Sequence, residues 1–309
     1  MKDILKLIRF PNLLMMVLTQ YLVRYCIIEP VVVGYMGQPL GLTNFDFFLI
    51  VFSTFIIGAG GYIINDYYDV AIDAINKPGI NILKSQKKQK LAINSYIVTS
   101  IIGIALGFYI GYKAGDYQLG YINSICAASL YYYSANFKGK FLIGNLMVAF
   151  LSAMVPLVVG LYDLIALPNT YEFASLINLI GGYAAFAFLT TLVREIIKDI
   201  EDIEGDKVDD CTTLPIKLGV PASKWIVIIL SLLTMGAIGY FMKNRYFEED
   251  YALFYYLLIL VQLPFAYLIF SVFKAESKQD FHNASTLTKI IMLTGVLSLL
   301  AVYDSFSTV

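Results

Sequence analysis

Charge is the scarcest property of this chain. Asp, Glu, Lys and Arg make up 15% of its 309 residues, against 59% hydrophobic residues, whereas a soluble domain carries about a quarter charged residues. That shortfall excludes an ordinary water-facing surface. Cysteine is scarce too: Cys26, Cys126 and Cys211 are too few and too scattered for a disulfide framework or a CxxC metal site. A single histidine, His282, excludes a histidine-based zinc cluster and argues against haem. With a net charge of −1, nothing points to a polyanionic partner, and no nucleic acid is expected. The leading segment MKDILKLIRFPN lacks a small-residue cleavage site and reads as an amphipathic lead-in rather than a removable signal.

What the chain does have is long apolar blocks and a mean hydropathy of +0.71. Crossing the hydrocarbon of a bilayer takes about 20 mostly apolar residues in a helix. Nine segments qualify, at about 13–35, 45–65, 91–112, 117–133, 141–162, 174–194, 224–242, 251–273 and 287–303. The blocks are continuous and do not alternate at period two, which argues against strands. The predicted fold is all-α: one domain over residues 1–309, a polytopic bundle of about nine transmembrane helices around a central cavity. The fourth and ninth segments are the shortest, so eight is the lower count.

This assignment puts 18 of the 22 Lys and Arg on one side, and Lys113, Lys243 and Arg245 on the other, with Arg24 inside the first span. By the positive-inside rule the N-terminus is expected in the cytoplasm and the C-terminus outside, in a multi-pass protein of the cell (inner) membrane. The two large polar loops, roughly 66–90 and 195–223, then fall on the cytoplasmic side. Ionisable residues crowding helix ends in a membrane protein are where function is expected.

Each loop opens with a carboxylate cluster. The first holds Asn65, Asp69 and Asp73, spaced i, i+4, i+8, which stack on one face of a continued helix. The second holds Asp199, Asp202 and Asp206, spaced i, i+3, i+7. Like charges at such spacing repel, and a chain this poor in charge has little structural reason to stack them. A cation explains the pattern most simply, and all-oxygen ligands point to Mg²⁺. Asn65 to Asp202 and Asp69 to Asp206 are each 137 residues apart, and four spans lie between, so both clusters are expected at cytoplasmic ends of helices running the same way. Two parallel halves facing each other across a cavity would follow.

Such groups suit the departure of a diphosphate. Mg²⁺ is usually held by one or two carboxylates together with substrate phosphates, and it neutralises charge that grows on a leaving group. Lys77, Lys138 and Lys198 are candidates to complete the phosphate pocket. An allylic diphosphate that loses its leaving group becomes a carbocation, which ring faces stabilise. With 24 Tyr and 21 Phe available, Tyr62 lies on the face of Asn65 and Asp69, and Phe188 on that of Asp199.

At these residues the sequence resembles the UbiA superfamily of intramembrane prenyltransferases. The pattern NxxxDxxxD is matched by Asn65, Asp69 and Asp73, and the later DxxxD by Asp202 and Asp206, with Asp199 as an extra member. The resemblance implies transfer of a polyprenyl group from its diphosphate to a hydrophobic acceptor, with Mg²⁺ held by both motifs and Asp69 and Asp202 central to catalysis. It also implies a Tyr and a Lys near the fourth cytoplasmic helix end. Tyr133 and Lys138 match them, with Tyr131 and Tyr132 as competitors for the first role. Lys77 matches the basic residue after the first motif, whereas the Arg-Pro-Ile that many members place next is replaced by Gly79, Ile80 and Asn81. Arg194 and Lys198 flank the second motif as diphosphate contacts.

Within the superfamily, REIIKDIEDIEGDKVDDCTTLPIKLG (Arg194–Gly219) is most similar to the branch that prenylates geranylgeranylglyceryl phosphate in phospholipid biosynthesis. An aromatic-acceptor prenyltransferase of quinone or tocopherol type is the first alternative, and a secondary transporter the second. Transporters place acids near span centres; here Glu29 alone does so. No obligatory protein partner is evident.

Overall fold

In a computed structural model of the chain, residues 2–70, 83, 85–167, 173–208 and 210–307 are described, and among them every regular element is a helix. We number these α1 (Lys2–Leu7), α2 (Phe10–Tyr35), α3 (Asn44–Tyr68), α4 (Gln86–Lys113), α5 (Gly120–Tyr132), α6 (Ile143–Ile165), α7 (Ala174–Glu201), α8 (Ile203–Val208), α9 (Leu214–Leu218), α10 (Val220–Phe247), α11 (Tyr251–Lys274) and α12 (Lys278–Ser307).

Eight of them, α2, α3, α4, α6, α7, α10, α11 and α12, are long and apolar enough to cross a membrane. The predicted fourth span is the difference. It forms α5, extended by a 3₁₀ turn at Tyr117–Leu119 and a π turn at Tyr133–Phe137. Asn123, Ser124, Ser129 and a run of tyrosines dilute its hydropathy below that of its neighbours. Most of the other helices run past the predicted spans at one end or both, and polar caps close some of their starts. The Thr43 hydroxyl accepts from the Asp46 N–H, and Asp250 caps the start of α11 by accepting from the Leu253 N–H. The side-chain distribution is inverted relative to a soluble protein: Ile101, Trp225, Leu233, Tyr267 and Phe273 are each more than half exposed, as a lipid-facing surface requires.

The chain divides into two compact units: Met1–Arg24, Val32–Lys138 and Met154–Ile180 in the first, and Tyr25–Val31, Gly139–Ala153 and Gly181–Val309 in the second. In the first, α3 and α4 pack at glycine. A Cβ on Gly103 would lie 2.4 Å from Ile57 and 3.4 Å from the Ser53 carbonyl, the close approach that small residues permit between membrane helices. A buried polar chain threads the same region. Ser53 donates to the Gly103 carbonyl, Asn123 donates to Ser53, and the Tyr162 hydroxyl donates to Asn123 at 3.0 Å. At the next residue after Tyr162, Asp163 pairs with the fully buried Arg24 at 3.2 Å; Arg24 also donates to the Leu42 carbonyl and lies 4.4 Å from the Phe47 ring centre.

In the second unit, Phe186 of α7 fills the space over Gly295 of α12, and Tyr183 and Ser298 share a hydrogen bond of 2.7 Å. Helix α11 carries a π turn at Leu258–Gln262, just before Pro264. Proline has no N–H to offer the carbonyl four residues back. That carbonyl, on Leu260, accepts instead from the Thr294 hydroxyl at 2.8 Å. A second proline within a span, Pro30, opens the π turn Pro30–Tyr35 in α2.

Candidate active site

The first carboxylate motif sits where α3 ends. Asp69 is the C-cap residue, its N–H donating to the Asn65 carbonyl at 3.0 Å, so Asn65 and Asp69 share the last turn as their spacing predicted. Both are buried. The Asn65 amide donates to Asp69 Oδ2 at 2.8 Å, and the Lys138 ammonium pairs with the same oxygen. Asp73 and Lys77 lie outside the described residues.

Lys138 arrives from the end of α5. The π turn that closes this helix bonds the Lys138 N–H to the Tyr133 carbonyl at 2.9 Å, so the two residues singled out in this segment are tied by one backbone bond. Single π turns often mark functional positions. Tyr131 belongs to a ring cluster with Tyr68, Tyr96 and Tyr132, with centroids 5.7 to 6.2 Å apart, and its hydroxyl accepts from Tyr68 at 3.3 Å. Tyr131 and Tyr132 meet these rings while remaining exposed, and Tyr133 sits half-buried at the first position of the π turn.

Sequence reasoning treated Arg9 as a topology-setting charge and missed its place here. Its guanidinium pairs with Asp66 at 3.2 Å and lies 5.0 Å from the Tyr62 ring centre. Burial works against its charge, but Asp66, Tyr62, Tyr133 and Asp69 around it hold its pKa above the ordinary arginine value. The Tyr62 face predicted for a cation therefore already meets one, and its hydroxyl accepts from the Asn12 amide at 3.2 Å. No local pattern signals this pair, because only folding brings residues 57 positions apart together.

The second motif belongs to the other unit. Helix α7 stops at Glu201 and α8 begins at Ile203, so Asp199, Asp202 and Asp206 do not lie on one unbroken helix as their spacing suggested. Asp202 sits at the break, with its N–H still donating to the Lys198 carbonyl and its carbonyl accepting from Asp206, at 2.9 and 3.1 Å. Asp199 accepts from the Asn145 amide at 2.8 Å. Arg194 and Lys198 both pair with buried Glu195, at 2.8 and 2.9 Å, an acid that the motif pattern passes over although it is adjacent to one cation and i+3 from the other. Phe188 is half-buried in α7, two turns and more before this cluster. The loop beyond is pinned at Gly139, whose carbonyl accepts from the Thr212 N–H at 2.7 Å and where a Cβ would meet Cys211 Sγ at 2.5 Å.

Among the described residues no three Asp, Glu, His or Cys side chains gather to hold a metal by themselves. Mg²⁺ does not require such a group, since one or two carboxylates suffice when phosphate oxygens and waters supply the rest. The Asp69 carboxylate, buried and already holding an ammonium, is a site built for positive charge.

Comparison with known proteins gives the family and the fold. Residues 27–293 match the profile of the UbiA prenyltransferase family. The chain is 32% identical over 260 residues to a digeranylgeranylglyceryl phosphate synthase of Methanosphaera stadtmanae, covering 82% of this chain and 87% of that one. It is 34% identical to the synthase of Saccharolobus solfataricus over 247 residues, 79% of this chain and 80% of that one. Among solved structures, one of a digeranylgeranylglyceryl phosphate synthase in membranes superposes with a TM-score of 0.64 at 25% identity, covering 98% of each chain. A UbiA homolog from Archaeoglobus fulgidus bound to DMAPP and Mg²⁺ shares the fold, with a TM-score of 0.56 at 16% identity over 98% of this chain and 99% of that one.

Proposed function

The chain belongs to the UbiA prenyltransferase family, and from that premise we propose that it transfers a geranylgeranyl group from its diphosphate to the hydroxyl of geranylgeranylglyceryl phosphate. The C1–O bond of the donor breaks and its electron pair leaves on pyrophosphate. The acceptor oxygen bonds to C1, and the hydroxyl proton passes to the departing pyrophosphate. The acceptor class rests on the relatives' names over some four-fifths of the chain.

The observation that carries the chemistry is the buried Asp69 carboxylate, shared by the Asn65 amide and the Lys138 ammonium at the end of a membrane-spanning helix. Asn65 and Asp69, with Asp73, would hold one Mg²⁺; Asp199, Asp202 and Asp206 would serve a second in the same turnover. When bound, Mg²⁺ neutralises charge developing on the diphosphate. Lys138 takes diphosphate oxygens, with Lys77, Lys198 and Arg194 in the same role. The half-buried ring of Tyr133 would face the allylic cation. The protein works as a multi-pass membrane enzyme with its N-terminus and motif loops in the cytoplasm and its C-terminus outside.

The test offers the purified chain geranylgeranyl diphosphate and Mg²⁺ with geranylgeranylglyceryl phosphate against a panel of aromatic acids, following pyrophosphate release. Transfer to an aromatic acid in preference to the glyceryl phosphate would overturn the acceptor assignment, and substrate counterflow without bond cleavage would overturn the enzyme. Replacing Lys138 by Met is expected to raise the donor KM about tenfold, the size of one lost charge-assisted contact, with the Mg²⁺ requirement little changed. An unchanged donor KM would remove Lys138 from the diphosphate site.

A further inference from the structure

The proposed reaction joins a diphosphate to a lipid that carries a phosphate of its own, and the cations placed so far serve only the first. The second unit holds a further pair. Lys278 and His282 lie one turn apart on the same face of α12, and that face meets the break between α7 and α8. The Lys278 ammonium stands 3.9 Å from Asp202, and His282 Nδ1 bonds Glu201 at 2.9 Å. The start of α12 is held firmly, since Asp280 accepts from the N–H groups of Glu276 and Ser277.

Other cations of this region are more closely engaged. Arg194 and Lys198 grip Glu195, Lys207 pairs with Glu204 at 3.2 Å, and the Lys224 ammonium donates to the carbonyls of Phe273 and Ala275 at 2.7 and 3.0 Å. Lys278 approaches its carboxylate at a longer distance than these ion pairs, and its side chain is 64% exposed. It stands at the first residue of a membrane-spanning helix. The apolar stretch of this helix begins near residue 287, so Lys278 stands on its polar approach, from which a long basic side chain reaches towards a lipid headgroup. Glu201 and Asp202 would repel a phosphate brought beside the second motif unless a cation stood between them.

We propose that Lys278 binds the phosphomonoester of the acceptor lipid and that His282, through its bond to Glu201, is a positioning residue that sets this face of α12 beside Asp202. The assignment rests on the acceptor class proposed above. It makes Lys278 a specificity-determining residue, selecting acceptors that carry a phosphate over those that do not.

Binding of geranylgeranylglyceryl phosphate to the detergent-purified full chain, without donor or Mg²⁺, tests it beside steady-state kinetics. Lys278→Met is expected to raise both the acceptor Kd and the acceptor KM about tenfold, leaving donor KM unchanged. Binding of the phosphate-free geranylgeranylglycerol should be the same in both proteins. His282→Ala should shift acceptor KM in the same direction by a smaller factor with kcat held, and His282→Gln, whose amide can still bond Glu201, should restore it. Equal acceptor binding in wild type and Lys278→Met, or a parallel rise in donor KM, overturns the proposal. Failure of the wild-type chain to bind the phosphorylated acceptor at all would instead overturn the acceptor class, and the role of Lys278 with it.

Discussion

Alanine at Asp69 or at Asp202 is expected to lower prenyl transfer by at least about a hundredfold, the scale on which removal of one preorganised electrostatic group is felt in a transition state. The two residues stand in different surroundings, which makes the paired result informative. Asp69 is buried, with Asn65 and Lys138 on one of its oxygens. Asp202 is a quarter exposed and sits at a helix break. A purely structural role would make the first substitution far more damaging than the second. A role in holding charge around one leaving pyrophosphate makes both equally severe in kcat. The measurement is pyrophosphate release by each purified variant, with thermal melting in detergent to show that it still folds. Near-normal turnover in either folded variant would remove that residue from the metal assignment.

Alanine at Arg24 is expected to destabilise the protein by about 3–5 kcal/mol, the usual result of leaving one member of a buried ion pair without its partner. Asp163 is 1% exposed, and its other oxygen accepts from the Leu42 N–H at 3.2 Å, so it cannot turn to water when the guanidinium is removed. The Leu42 carbonyl, which accepts from Arg24 at 2.6 Å, loses its side-chain donor in the same step. Replacing both residues, Arg24→Leu with Asp163→Leu, should recover much of the loss, because a well-packed apolar pair avoids the desolvation that the charges carry. Melting temperature and folded yield check both variants. A single Arg24→Ala that melts with the wild type would show that the pair holds nothing together.

The legible part of the protein was the part governed by local composition and spacing. Lipid as the solvent follows from the shortage of charge, and eight of nine predicted spans stand as long apolar helices because a run of some twenty apolar residues has few other stable fates in a bilayer. Asn65 and Asp69 could be paired by eye, since a four-residue step on a helix brings side chains together whatever the rest of the chain does. The predicted fourth span, α5, is the least apolar of the nine, because its polar residues serve the buried Asn123 network. The same reasoning from spacing ran the second motif through Asp202 as one helix, where the chain breaks.

Sequence alone thus determined the solvent, the helical architecture and the family chemistry, because each depends on what a residue is and what stands within a turn of it. Tertiary structure alone decided which cation meets which acid: Arg9 with Asp66, Lys138 with Asp69, Arg24 with Asp163, the last pair 139 residues apart. Charge attraction acts through space and carries no preferred sequence separation. In a chain with 22 basic and 23 acidic residues, packing of the apolar helices selects the few pairs that can form, and with them the electrostatics of the site.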